Sequence, residues 1–238
     1  MPVRRSQTST FDETKYPASH FKVTQRNFPF GDLSIKVAQT KVRNTSEGSN
    51  PSYCRAWVEV SRAGNTLKQL YYPDFEPVGS SYGIFVPKKQ PFENYFVLLK
   101  LGDYDGRLLI VNKDGTVRDL DGGFYFVTRD RRYLISEWSS DDVNLLVFDS
   151  TLDRVVLNTR KLPYIQQWYQ DSKGYFFTES EWDNGPVPHA KPRVAYRLDL
   201  VQYKVVKFAV AEEDLKAARP VAYEFDPRNL EDCTTPMH

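Results

Sequence analysis

The chain is poor in the residues that most often mark chemistry. Its 238 residues include two cysteines, Cys54 and Cys233, and three histidines, His20, His189 and His238. Two thiols so far apart in sequence cannot supply a metal cluster. The histidines fall in a polar arm, a proline-rich loop and the terminus, with no Cys or acidic partner at ligand spacing. No metal centre, histidine base or cofactor is expected. No apolar run approaches the roughly 18 residues that span a bilayer, so membrane insertion is not expected either. Charge of one sign is also missing: 32 Lys and Arg against 31 Asp and Glu leave a net +1. That balance removes the basic footprint a nucleic-acid partner normally needs. The basic start, Met1 to Ser6, runs into Gln, Thr, Ser, Asp and Glu instead of the apolar segment of a signal peptide. Taken as it stands, this reads as cytoplasmic. A leader removed beforehand would make the chain periplasmic or secreted.

What the chain has in quantity is aromatic residues, 14% of the total, including 15 Tyr and 15 Phe. Such side chains suit a pleated, half-buried surface. The 15 prolines and 12 glycines are scattered as punctuation and not gathered into one linker. Between them runs a recurring pair of short apolar segments. Leu145-Leu146-Val147-Phe148-Asp149, a turn and Arg154-Val155-Val156-Leu157 match Val194-Ala195-Tyr196-Arg197-Leu198-Asp199, a turn and Lys204-Val205-Val206-Lys207-Phe208. The same pattern stands at Leu108–Asn112 with Thr116–Arg118, and more faintly at Trp57–Val60 with Leu67–Leu70. Hairpins about forty to fifty residues apart mark a radial or stacked β repeat.

Each hairpin belongs to a set of four strands. The first set begins at Phe21-Lys22-Val23 and Leu33–Ala38 and ends in a hairpin over Ser52–Leu70, with Gly64-Asn65 as its turn. The second is Gly83–Val86, Tyr95–Leu101, Arg107–Asn112 and Thr116–Asp119, with Asp114-Gly115 turning the last pair. The third is Phe124–Thr128, Tyr133–Trp138, Asn144–Asp149 and Arg154–Asn158. The fourth is Ile165–Tyr169, Gly174–Ser180, Arg193–Leu198 and Lys204–Phe208, interrupted by an insertion from Asp183 to Pro192. A short helix over Glu212–Arg219, ended by Pro220, and a last strand over Val221–Asp226 follow.

In its four-strand repeat and its strand–turn spacing, across about residues 21–226, the chain resembles the β-propeller proteins. The resemblance is one of architecture: no Gly-His or Trp-Asp dipeptide and no kelch double glycine stands at a blade position. It implies an all-β, small β-propeller-like meander of four four-stranded blades, or five if residues 19–44 are split differently. The short helix and a closing strand that pairs with N-terminal material complete it. A stacked solenoid or two packed sheets remain alternatives. The domain plan is a polar arm over 1–18, one β-propeller-like domain over 19–228 and a tail over 229–238. In a ring, Cys54 of the first blade and Cys233 of the tail come together, so the resemblance makes them a disulfide candidate beside the simpler reading of two unrelated thiols. Closing so long a loop is worth about 4–5 kcal/mol in the chain-entropy model and belongs to an oxidising compartment.

Acidic residues offer two constellations. Asp103-Tyr104-Asp105-Gly106 and Asp119-Leu120-Asp121-Gly122 begin like calcium loops, but the later oxygen ligands at the right spacing are missing, so turn chemistry is the expectation. Glu137, Glu179 and Glu181 stand near corresponding strand ends beside Trp138 and Trp182. Carboxyl pairs flanking a sugar are the chemistry of glycosidases, with aromatic rings to stack on the sugar faces. Gly79-Ser80-Ser81-Tyr82-Gly83 has the glycine spacing of a nucleophile elbow but leads into a strand where the elbow needs a helix.

Binding is the function class left. Tyr- and Ser-rich irregular stretches combine large contact area with adaptable hydrogen bonding. The candidate binding residues are Tyr71, Tyr72, Phe75, Ser81, Tyr82, Trp168, Trp182 and His189. The expected function is a non-catalytic protein-binding domain, of an inhibitor or immunity type that blocks a partner enzyme through its loops. The alternative is a carbohydrate-binding or glycoside-hydrolysing propeller using Glu137, Glu179 and the nearby tryptophans, with a sugar or other small molecule as ligand.

Overall fold

The computed structural model describes residues 21–43, 52–75, 83–87, 89–101, 106–139, 143–180 and 193–223. They fall into two compact units, one with its described residues at 21–121 and the other at 122–223. The polar arm, the insertion from 183 to 192 and the tail lie outside the described residues.

The first unit holds two four-stranded antiparallel sheets. The first sheet runs in the order β1 (Phe21–Phe30), β2 (Leu33–Arg43), β3 (Ser52–Arg62), β4 (Asn65–Phe75). The second runs β5 (Gly83–Phe85), β6 (Tyr95–Leu101), β7 (Gly106–Asn112), β8 (Val117–Asp121). Alternation sets the faces, because successive strand residues point to opposite sides. Leu33, Ile35 and Val37 of β2 and Val58 and Val60 of β3 meet Phe96 and Leu98 of β6 and Leu109 and Val111 of β7 in one core. Phe28 and Phe30 cover its rim, their rings 5.5 and 5.9 Å from Phe96. Pro29 sits in β1, an edge strand, where a missing N–H costs no ladder bond.

The second unit repeats the plan. Its third sheet is β9 (Tyr125–Val127), β10 (Tyr133–Ser139), β11 (Val143–Asp149), β12 (Arg154–Leu162), paired consecutively. Its fourth is β13 (Ile165–Asp171), β14 (Gly174–Glu179), β15 (Arg193–Asp199), β16 (Lys204–Val210). Phe126, Ile135, Leu145 and Val147 of the third sheet pack on Trp168, Tyr175, Phe177 and Leu198 of the fourth. All four sheets are meanders of the blade type, so the fold is all-β and propeller-like, with one short helix among the described residues. Central strands carry the most continuous apolar runs: β6 is buried at every position, and β11 at every position but Asn144.

Aspartates explain why two of the hairpins look alike. Asp149 and Asp199 end their strands and turn a carboxylate onto the backbone of the following turn. Asp149 Oδ1 accepts from the N–H of Thr151 and Leu152 at 2.8 and 3.1 Å. Asp199 Oδ1 accepts from Val201 and Gln202, both at 2.9 Å. Asp153 and Tyr203 then take left-handed φ values of 50° and 51° at matching places. Asp149 is fully buried, yet its Oδ2 accepts two bonds from Arg132 at 3.1 and 2.9 Å. Burial alone would raise its pKa, but the Arg132 and turn N–H donors outweigh burial and hold it below the usual carboxylate range.

Three expectations need correction. The β3–β4 turn is Ala63-Gly64, not Gly64-Asn65: both residues have positive φ, 47° and 81°, as a tight hairpin of primed type requires, and Asn65 already pairs with Arg62. The helix, α1, ends at Ala217 and not Arg219: Ala218 is already extended, with φ −78° and ψ 147°, and Arg219, before Pro220, is kept from the helical region. The strand after it, β17, is Arg219–Val221, beginning before Val221, and pairs antiparallel with β13 of the fourth sheet; residues 224–226 and the arm over 1–18, and with them the expected pairing to N-terminal material, lie outside the described residues. β17 makes that sheet five-stranded. Edge placement suits Pro220, and Gln167 Nε2 donates to the Val221 carbonyl at 3.0 Å.

Gly123 leads into β9 under the indole of Trp138. A Cβ added there would lie 2.5 Å from the Glu137 carbonyl oxygen and closer still to the Trp138 ring. Gly123→Ala should therefore lower the stability of the second unit by about 1–3 kcal/mol, the usual cost of overpacking. A fall in the urea midpoint at constant slope would show it. An unchanged midpoint would mean that this approach is not as close as described.

Candidate functional site

Of the residues expected to form a binding surface, Tyr71, Tyr72 and Trp168 have described side chains. Tyr71 and Tyr72 lie in β4; Tyr72 is buried in the first unit's core, and Tyr71 is half-buried. Trp168 is 1% exposed and belongs to β13, so neither it nor Tyr72 stands on an exposed loop. The stretch around Trp168 is a strand whose indole faces the third sheet. Ser81, Tyr82, Trp182, His189 and Cys233, and the side chains of Phe75 and Cys54, lie outside the described residues. So does any Cys54–Cys233 bond. Asp119 and Asp121 are on β8 and not in a turn: both bind the Arg107 guanidinium of β7, Asp119 Oδ1 at 2.7 Å.

Trp168 instead marks a polar cluster in the second unit. Its ring packs on Phe126 and Phe177, with centroids 5.1 and 4.9 Å away. Its Nε1 donates to Glu137 Oε2 at 2.7 Å. Glu137 follows Tyr133 and Ile135 along the same face of β10, at the end of that row. The other carboxylate oxygen, Oε1, accepts from the hydroxyl of Tyr223, two residues beyond β17. The Tyr223 ring lies 5.7 Å from Phe124. Burial raises the pKa of Glu137 above the usual glutamate range, and the Tyr223 and Trp168 donors oppose that rise without cancelling it. Burial, then the neighbouring carboxylate, drives the Tyr223 hydroxyl far up, so it stays a neutral donor.

Glu179 sits in a different niche. The Tyr196 hydroxyl donates to its Oε2 at 3.4 Å, with the Tyr196 ring stacked on Phe177 at 5.1 Å. Chemically, the Glu137 cluster is a cross-link: one carboxylate holds β10, β13 and the segment after β17 together.

The other face of the fourth sheet carries a groove of about 1010 Å³. Helix α1 (Glu212–Ala217) packs Leu215, with Ala218 just beyond it, on Phe176, Ala195 and Val210, covering part of that face. The uncovered part is floored by Phe176, Val206 and Phe208. Arg197 lies between the two aromatic rings, its guanidinium carbon 5.1 Å from Phe176 and 5.0 Å from Phe208. Asp171 fixes it with two bonds, 2.8 and 2.7 Å long. The hairpin turns at Asp171–Gly174 and Asp199–Val201 close one end, and Asp214 and Ala217 of α1 form a wall. No motif announces this groove, since its lining comes from four separate stretches of chain. The clue available was the apolar row Val206, Phe208, Val210 on the last strand.

The chain is similar in course to several solved structures. One is the β-propeller domain of the Trilobed protease from Pyrococcus furiosus, at 12% identity over 81% of this chain and 58% of that one, with a TM-score of 0.37. Another is an acylaminoacyl peptidase from Pyrococcus horikoshii, at 9% identity over 80% and 32%, with a TM-score of 0.33. A third is a protein of unknown function from Bacteroides thetaiotaomicron, at 12% identity over 83% and 61%, with a TM-score of 0.32. The chain thus spans less than two thirds of the length of each. No protein-family model matches the sequence, and no curated protein does.

The Glu137 cluster has a pH signature. A carboxyl whose folded pKa is raised contributes stability that is complete below its unfolded pKa and is lost as pH rises through the folded one. Glu137→Gln removes that dependence and still offers an acceptor to Trp168. The stability of E137Q minus that of the wild type should therefore grow as pH climbs from about 4 to 8, measured by urea unfolding; a constant difference would contradict the raised pKa. Tyr223→Phe leaves Oε1 without its donor and should cost about 1–3 kcal/mol at neutral pH. A change near zero would remove Tyr223 from the cross-link.

Proposed function

We propose that the chain is a protein-binding domain and that it acts as an inhibitor or immunity-type protein, occupying the surface of a partner enzyme. The observation that carries this reading is the groove on the fourth sheet: an apolar concavity beside β16, which among the described residues pairs on one side alone, with Val206 left 41% exposed. Apolar surface of this kind, next to unpaired backbone, is what one protein offers another. The sugar-cleaving alternative needs Glu137 and Glu179 free to flank a glycosidic bond. Hydrogen bonds from Trp168 and Tyr223 occupy both oxygens of Glu137, and Glu179 lies against Tyr196.

The test is affinity purification from the source cells with the tagged full chain, followed by assay of the recovered partner. The expected result is a stoichiometric protein complex in which an enzymatic activity of the partner falls as the chain is added. Recovery of no partner, from a chain that stays monomeric at high concentration, would overturn the reading.

A further inference from the structure

We infer that residues 211–223 form one hinged flap on the fourth sheet: the contact of Tyr223 with Glu137 on one face holds α1 down on the other, and so sets how much of the groove's face a partner can reach. This rests on the protein-binding reading and adds a control to the same site. The path of the chain joins the two ends of the flap. β16 ends at Val210 on one side of the sheet, and β17 pairs with β13 at the other. Between them α1 crosses the face, with Leu215 and Ala218 on Phe176, Ala195 and Val210. Four strand spacings are about 19 Å, and six of the connecting residues are helical, each adding only about 1.5 Å. The connection has little slack. Ala218 alone separates α1 from β17, so neither shifts without the other.

Little holds α1 where it lies. Its six residues are too few for a helix that stands by itself. No side chain caps its N-terminus, and the residues at both ends, Ala211 and Ala218, are extended. Leu215 is its buried residue. The Arg193–Glu212 pair is 3.7 Å long and partly exposed, a contact of small worth. The firmer hold is at the far end. β17 makes three pairs with β13, and Pro220 has no N–H to give. Val221 packs half-buried on the core around Trp168, and Gln167 Nε2 bonds its carbonyl. The Tyr223 hydroxyl then donates to Glu137 Oε1, with its ring against Phe124. A segment with so few buried contacts opens before the sheet beneath it does. The closed face also carries a cost: Thr178, opposite Ala195 and 1% exposed, has a hydroxyl with no hydrogen-bond partner.

Asp214, Ala217 and Ala218 are part of the groove wall. With the flap lifted, Ala195 and Val210 join Phe176 in one wider apolar floor. The flap is thus a two-state element that touches both latch and groove, which is what coupling between them requires. Proton uptake biases it. Around Glu137, Phe124 offers a backbone carbonyl to its N–H, Leu145 stands opposite on β11, and Trp168 of β13 brings no charge. Tyr223 stays a neutral donor. Closing takes water from the carboxylate, and burial raises its pKa against the two donors. The closed flap therefore binds the proton better. It is favoured below the ordinary glutamate range and loosens as pH rises through the raised value.

Hydrogen exchange of the full chain tests the flap without any partner. The Leu215 and Ala218 amides, bonded to the Ala211 and Asp214 carbonyls, report on α1. In the wild type they should exchange faster than the amides of β11, through an opening that urea barely promotes. Tyr223→Phe, on the other face, should speed them by about tenfold or more. Corrected for intrinsic exchange, the wild-type opening should grow between about pH 5 and pH 8, and that of E137Q should not. Three outcomes would overturn the proposal: helix amides that exchange only together with β11, that ignore Y223F, or that follow the same pH course in E137Q. A partner recovered from cells should bind Y223F about tenfold more tightly, because a larger share of the chain has its face open. Equal or weaker binding would overturn the control and leave the protein-binding reading standing.

Discussion

The second unit turns on one hydrogen bond between a buried indole and a half-buried carboxylate. Trp168 is too large to leave in water and carries one N–H that must find an acceptor once buried. Glu137 stands at the end of an apolar row and must find donors to remain there. Each meets the other's need at 2.7 Å, and Tyr223 takes the second oxygen. A bond to a charged acceptor contributes roughly 1.5–3 kcal/mol, more than a neutral one. The indole also fills the space between Phe126 and Phe177, so the same residue sets both the spacing and the polarity where the two sheets meet. With that face of the fourth sheet anchored, the opposite face is free to be covered partly by α1 and partly by something else.

Much of this architecture is legible in the residues. Strand positions in all four sheets follow from period-two alternation or, as in β6 and β11, from short apolar runs, bounded by Gly, Asn, Asp and Pro. The likeness of two hairpins, Leu145–Leu157 and Val194–Phe208, has a local cause as well, since Asp149 and Asp199 cap their own turns.

Less legible is whatever depends on which strand lies beside which. Arg219-Pro220-Val221 reads as a helix end and the start of a strand, and nothing in it states that its neighbour is β13. Asp119 and Asp121 look like turn residues until Arg107 is placed opposite them on β7. Trp168 and Tyr72 look like binding aromatics because a buried aromatic strand and an exposed aromatic loop share a composition; only the facing sheet distinguishes them. Glu137 was visible as an acid beside a tryptophan. Its actual donors lie 31 and 86 residues away in the chain, beyond the reach of any spacing rule. The groove is of the same kind, assembled from turns, strands and a helix that only topology brings together.

The proposed protein-binding role rests most heavily on the groove beside β16 being the surface that a partner covers. Hydrogen exchange at the β16 amides reads this directly, in the free chain and in complex with a recovered partner. The account predicts that alternate amides between Lys204 and Val210 exchange fast in the free chain and slow markedly in the complex, while β6 and β11 stay slow in both. Equal exchange of β16 in the two states, with protection arising on another surface, would contradict it.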